Sequence, residues 1–260
     1  MKLQLFQADA FTASLFKGNP AAIVPMNTWL PDETMQQIAA ENNLSETAFF
    51  IPENDHYHIR WFTPKSEVAL CGHATLATAH ILFNELNHSG ESISFNSKSG
   101  ILIVRKINNK LQLDFPADIV QPVDSNPLFT RALGIEALAT FKGRTDYLLL
   151  FESEEIIRQM KPDFHLLNQT SARGIMVTAK GNDVDFVSRF FAPGVGIDED
   201  PVTGSAHTSL VPFWSARLNK TQMTALQLSA RGGQLWCTLS GDRVLIAGNA
   251  VTYMKGEIEI

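Results

Sequence analysis

Cysteine is nearly absent from this chain: Cys71 and Cys237 are the only two in 260 residues. Two thiols make no disulfide framework, and no C-x-x-C pair is present to hold zinc. His56 and His58 alternate on one segment but have no partner at convincing metal spacing. No run of 18 apolar residues occurs, which excludes a transmembrane helix. The opening stretch, Met1 to Ala10, carries Asp9 and lacks the apolar core of a signal peptide. A soluble, reduced, cytoplasmic protein is therefore expected. Positive charge is also short: Lys and Arg number 21 against 27 Asp and Glu, giving a net charge of −6 and a pI near 5.6. That balance weighs against nucleic acid or an anionic membrane as partner, since both need a basic face. The phosphate-cradling G-x-x-x-x-G-K and the G-x-S-x-G elbow are missing, and Gly194-Val195-Gly196 is only a fragment of a dinucleotide fingerprint. What remains is an ordinary globular composition, 45% apolar and 18% charged, long enough for one large domain or two small ones.

The chain does contain an internal repeat. Arg60-Trp61-Phe62-Thr63-Pro64 resembles Arg189-Phe190-Phe191-Ala192-Pro193, and each is followed by a glycine that opens a helical pattern, Gly72-His73-Ala74 and Gly204-Ser205-Ala206. The flanks agree. In the first half, Ala21 to Pro25 reads as a strand, and Pro31-Asp32-Glu33 opens a helix with Met35, Ile38 and Ala39 on one face. Glu46 to Ile51 and Tyr57 to Phe62 read as strands, and Gly72 to Leu86 as a helix. The second half repeats the order with strands at Tyr147–Phe151, 174–178 and 185–191. Its helices are expected at Glu154–Met160 and from Gly204 to about Arg217, the latter kinked or started by Pro212. The join falls near Pro116 to Pro127. This sets the expected domains at 1–117 and 118–247.

Each half thus presents a strand, an aromatic-proline corner, a loop, and a helix that begins with small residues. The first turn of a helix carries N–H groups without internal partners and the positive end of a dipole. Gly and Ala let a ligand approach them, so each junction suits a carboxylate or oxyanion. The halves differ in their polar residues. Glu46 begins an apolar strand, where partial burial would raise its pKa and suit it to acid/base work; a solvated strand-edge glutamate is the plainer alternative. His73 can be a surface or capping histidine, Asp200 a turn carboxylate, and Ser205 a helix cap. Taken singly, none of these residues decides.

Together they resemble the phenazine-biosynthesis isomerase (PhzF-like) family. The matching stretches are Gly18-Asn19-Pro20-Ala21-Ala22-Ile23-Val24, Asn43-Leu44-Ser45-Glu46-Thr47-Ala48-Phe49, Phe62-Thr63-Pro64 through Cys71-Gly72-His73-Ala74-Thr75, and Asp200-Pro201-Val202-Thr203-Gly204-Ser205-Ala206-His207. The resemblance implies an α+β, diaminopimelate epimerase-like fold: two pseudo-symmetric halves, each a curved, mostly antiparallel sheet around a central helix, with the active site in the cleft between them and a C-terminal strand within 248–260 that can return to the first half. It implies a homodimer and an isomerase that moves a proton between carbons of a small carboxylic acid, a dihydro-hydroxyanthranilate in the type enzyme, without metal or organic cofactor. Residue by residue, the catalytic roles pass to Glu46, His73, Asp200 and Ser205, and substrate binding to Asn19, Ser45, Gly72, Ala74 and Gly204. Specificity is expected from the loops at Phe141–Asp146 and Phe213–Thr221.

Two rivals stand beside this reading. On the same fold, thiol-dependent epimerases use one cysteine from each half. Cys71 fits the first position, but the second is Ala206, with His207 as the only neighbouring substitute; a small buried apolar residue is the plainer reading of Cys71. The other rival is a non-catalytic small-ligand-binding protein that has kept the fold.

Overall fold

The alternating and apolar segments fold as strands, and the two small-residue helix starts become the two longest helices. The computed structural model describes residues 1–260. In chain order the elements are β1 (Lys2–Ala10), β2 (Asn19–Pro25), α1 (Asp32–Asn42), β3 (Glu46–Glu53), β4 (His56–Phe62), β5 (Glu67–Val68), α2 (Gly72–Asn84), β6 (Ser92–Ser97), β7 (Gly100–Ile107), β8 (Lys110–Pro116), β9 (Gln121–Val123), α3 (Pro127–Leu133), β10 (Ala139–Lys142), β11 (Tyr147–Leu150), α4 (Glu154–Gln159), α5 (Phe164–Asn168), β12 (Ile175–Lys180), β13 (Phe186–Ala192), β14 (Ile197–Asp200), α6 (Gly204–Leu218), β15 (Gln222–Gln227), β16 (Gly233–Ser240), β17 (Arg243–Gly248) and β18 (Ala250–Glu259). The chain divides into two compact units, Met1–Asp114 with Ala247–Ile260, and Phe115–Ile246. No helix is long and apolar enough to cross a membrane.

In the first unit, β1 pairs antiparallel with β2 and, along its whole length, with β18. β2 pairs parallel with β3, β3 antiparallel with β4, β4 antiparallel with β5 and parallel with β6, and β6 antiparallel with β7. The second unit repeats this wiring. β10–β11 is antiparallel, β11–β12 parallel, β12–β13 and β13–β14 antiparallel, β13–β15 parallel and β15–β16 antiparallel. The duplication read from five residues therefore extends to six successive strand pairings.

The matched arginines explain the strongest stretch of the repeat. Arg60 lies 5.1 Å from the Phe62 ring and grips Glu67 through Nε and a terminal nitrogen at 2.8 and 2.9 Å. Arg189 lies 5.0 Å from the Phe191 ring and grips Glu199 the same way, at 2.7 and 2.9 Å. In each unit this bidentate pair ties the strand before the proline corner to the short strand after it, which sets the approach to the central helix.

α2 and α6 are those central helices. Of the thirteen residues of α2, ten are buried, from His73 to Phe83. A helix apolar on all sides belongs inside a surrounding sheet, and α2 packs against β1, β2, β3, β7 and β18. Thr75 and Thr78 satisfy their buried hydroxyls by donating to the carbonyls four residues back, Cys71 O and Ala74 O. α6 runs through Pro212 instead of starting or breaking there, which corrects the expectation that proline would fix its start. Proline at 212 frees the carbonyl of Thr208. The backbone N–H of Asp118 donates to that carbonyl at 3.0 Å, and Ser209 Oγ donates to the Asp118 carboxylate at 2.9 Å. This partner from the connection between β8 and β9 makes the interior proline tolerable.

Candidate active site

Glu46 reaches its place by a helix-to-strand turn. α1 ends at Asn42, and Asn43 adopts the left-handed conformation (φ 48°) that asparagine tolerates better than most residues. Its N–H donates back to Ala39 O, while Asn42 Nδ2 donates to Thr47 Oγ1. Leu44 and Ser45 then lead directly into β3, whose first residue is Glu46, paired with Ala21 of β2. One strand over, Gly18 has φ +66°, and a Cβ there would lie 2.1 Å from Ala10 O, so only glycine turns the chain into β2. That turn delivers Asn19, which is fully buried.

His73 comes from the start of α2. Cys71 caps the helix in extended conformation, and its carbonyl accepts from both the N–H and the hydroxyl of Thr75. The first unit brings Glu46, Cys71 and His73 together. His73 Nε2 lies 3.2 Å from Glu46 Oε2, off the axis of a hydrogen bond, and His73 Nδ1 lies 3.5 Å from Cys71 Sγ. The three residues are only 9%, 7% and 5% exposed, in that order along the chain. Burial pushes His73 down to about 3, against a smaller raising effect from the Pro20 carbonyl. At neutral pH the contact is therefore between a carboxyl group and an uncharged imidazole, not a salt bridge. Ser45 and Gly72 are half-buried beside this group, and Ala74 is wholly buried, its methyl packed in the core.

In the second unit, Asp200 ends β14, half-buried, and Ser205 lies exposed in the first turn of α6, next to the buried Gly204. Thr203 Oγ1 donates to Asp200 Oδ2 at 2.6 Å. The segment between them is held by Gln227, a residue that no local motif marks. Its Oε1 accepts from Thr203 N–H at 2.8 Å, and its Nε2 donates to Asp200 O at 2.8 Å and to Thr203 Oγ1 at 3.1 Å. Gln227 is 1% exposed. Gln227→Leu strands the partners of three bonds and is expected to cost roughly 2–3 kcal/mol, readable as a lower urea midpoint at unchanged m-value; a shift within error contradicts the clamp.

His207 does not point toward a ligand. It is wholly buried under the Phe186 ring, and its Nδ1–H donates to Thr203 O at 2.8 Å. Burial pushes it down to about 4. It is thus no substitute for the second thiol of an epimerase. Phe213 to Leu218 is helical, not a loop, so of the expected specificity segment only its end lies outside α6. Phe213 packs on Phe141, with Arg217 over the Phe213 ring at 3.6 Å.

The two silent histidines predict acid sensitivity. In the unfolded chain each titrates near ~6.5, whereas in the folded chain the values lie near 3 and 4. The folded values are the lower ones, so the unfolded state binds more protons between those limits. Stability from this source is whole above about 6.5 and is lost as the pH falls toward 4. The melting temperature is expected to drop across that window, and His207→Gln is expected to make the drop shallower. A flat profile from pH 6.5 to 4 contradicts the burial argument.

Only one group of donors could hold a metal ion, and it is the same cluster: ligand atoms of Glu46, Cys71 and His73 lie within 4.8 Å of one another. Spacing rules miss it because the donors come from β3 and from the cap of α2, more than twenty residues apart.

A family model described as phenazine biosynthesis-like protein matches residues 8–256. A protein of Pseudomonas aeruginosa named as an uncharacterized isomerase is 52% identical over the full length of both chains. The crystal structure of a PhzF-family phenazine biosynthesis protein from Enterococcus faecalis superposes with a TM-score of 0.97 at 45% identity, covering all of both chains. A structure from P. aeruginosa described as a predicted epimerase reaches a TM-score of 0.80 at 18% identity, over 98% of this chain and 99% of its own. At that identity the likeness concerns the fold alone.

Proposed function

The chain belongs to the phenazine biosynthesis-like family, and from that membership we propose that it shifts a proton between carbons of a small carboxylic acid, with Glu46 as the group that carries the proton. The fold is α+β and diaminopimelate epimerase-like, and the protein is an isomerase, as the relatives named for that activity indicate. The observation that supports Glu46 most is its contact with His73: a nine-tenths-buried carboxyl group set 3.2 Å from a buried, uncharged imidazole at the start of a central helix.

In this mechanism Glu46, as carboxylate, takes a proton from an activated carbon and returns it to another carbon on the same face. His73 stays uncharged, so its Nε2 can donate to the Glu46 carboxylate in one tautomer and accept from the carboxylic acid in the other, without becoming a competing base. The substrate carboxylate docks on first-turn N–H groups of a central helix, at Gly72 or Gly204. In the first unit Asn19, Ser45 and Ala74, through its backbone, hold the substrate's polar groups; in the second unit Asp200 and Ser205 offer a carboxyl group and a hydroxyl. Thr203 and Gln227 fix where the Asp200 carboxyl group sits.

The test is solvent exchange. In D2O the enzyme is expected to place deuterium at the reacting carbons of its substrate, first among the probes a dihydro-hydroxyanthranilate, followed by other cyclic unsaturated acids. Binding of such acids without exchange or conversion would favour a ligand-binding protein instead.

A further inference from the structure

The proton-transfer reading leaves Cys71 without a task, although its thiol belongs to the same buried cluster as Glu46 and His73. Their ligand atoms all lie within 4.8 Å of one another, with the sulfur 3.5 Å from Nδ1 of the imidazole and a carboxylate oxygen 3.2 Å from Nε2. His73 Nε2 is fully buried and has no hydrogen-bond partner. Such an atom is uncommon in a folded protein and calls for an explanation. A thiol, an imidazole and a carboxyl group form a donor set that suits a borderline-soft divalent cation. Zinc binds such donors at ~2.0–2.3 Å, so tetrahedral partners stand roughly 3.3–3.7 Å apart. The carboxylate–Nε2 separation is already close to that range, and the sulfur, which now faces Nδ1, turns toward Nε2 to complete the set within the 4.8 Å cluster. Three protein donors also leave a fourth position open, as in zinc sites that accept an exogenous ligand.

From this geometry we propose that Glu46, Cys71 and His73 form a binding site for one Zn2+ ion per chain, held by Sγ of Cys71, a carboxylate oxygen of Glu46 and Nε2 of His73. Binding forms the Zn–S bond as the thiol proton leaves to solvent, while the carboxylate and the uncharged imidazole each give a lone pair. No electron is transferred. Zinc in this site occupies the carboxyl group assigned to proton transfer, so it inhibits the isomerase. The inhibition rests on the proposed function; the binding does not.

The experiment uses the full-length protein, stripped of metal and titrated with Co2+ as a spectroscopic stand-in for zinc. One equivalent per chain is expected to bring up a thiolate-to-cobalt charge-transfer band with tetrahedral ligand-field bands, and Zn2+ is expected to bleach both. The band is expected to vanish in Cys71→Ser. It is expected to persist in Cys237→Ser, whose sulfur lies buried within β16. His73→Gln, with the melting curve as a check on folding, is expected to weaken binding at least ~10-fold. No band in the wild-type protein, or a band that survives in Cys71→Ser or at full affinity in His73→Gln, overturns the site. Stoichiometric cobalt binding without zinc inhibition of turnover leaves the site standing and removes Glu46 from proton transfer.

Discussion

Glu46→Gln is expected to reduce kcat by ~10²–10⁴-fold, the range that general acid/base groups supply, with a smaller change in KM. Glutamine keeps the shape of the side chain but cannot take up and return a proton. Its contacts along β3 and with His73 remain available, so the fold is expected to persist and the melting temperature to stay near that of the wild type. The division between kcat and KM matters. Loss of a substrate-holding group raises KM, whereas loss of the proton carrier acts on the chemical step. Measurement on any acid that the wild-type enzyme converts decides the point. Turnover within a few-fold of wild type would remove Glu46 from the mechanism.

The second large effect is on stability. Arg189 is 9% exposed, and its guanidinium meets both Glu199 oxygens and the carbonyls of Ile157 and Met160, at 3.1 and 2.6 Å. Removing one partner of a largely buried ion pair leaves the other charge without compensation, at a cost of roughly 3–5 kcal/mol. Arg189→Ala is expected to reach that range in urea unfolding. Arg60 makes the same bidentate grip on Glu67, but its third partner is the exposed Asp32, and it bonds no buried carbonyl. Arg60→Ala is therefore expected to cost less. Equal costs for the two would show that the carbonyl contacts contribute nothing.

The contrast between these arginines shows what the sequence could carry. The repeat was legible because aromatic, proline and glycine spacing is local. The strands at Glu46 and Tyr57 and the face of α1 formed by Met35, Ile38 and Ala39 follow from periodicity, and the structure places them within two residues of expectation. The reason that each repeat begins with arginine was not legible, since Glu67 and Glu199 lie beyond the corner and their grip exists only after the chain turns back. Distance in the chain hid other features as well. Pro212 looked like a boundary because the N–H that satisfies Thr208 belongs to Asp118, ninety residues earlier. Gln227 belongs to no motif, yet it clamps the segment from Asp200 to Thr203. Glu46, Cys71 and His73 were each selected, but their meeting in one cluster depends on the parallel pairing of β2 with β3 beside α2. His207 was weighed as a base because of its neighbours in sequence, and burial under Phe186 removes it.

The most direct test of the central claim is deuterium exchange, followed by NMR, at the reacting carbons of a converted acid in D2O, with wild-type enzyme and Glu46→Gln side by side. Rapid label uptake by the wild type and uptake at least ~10²-fold slower by the variant is the predicted result. Uptake at equal rates in both proteins would contradict it.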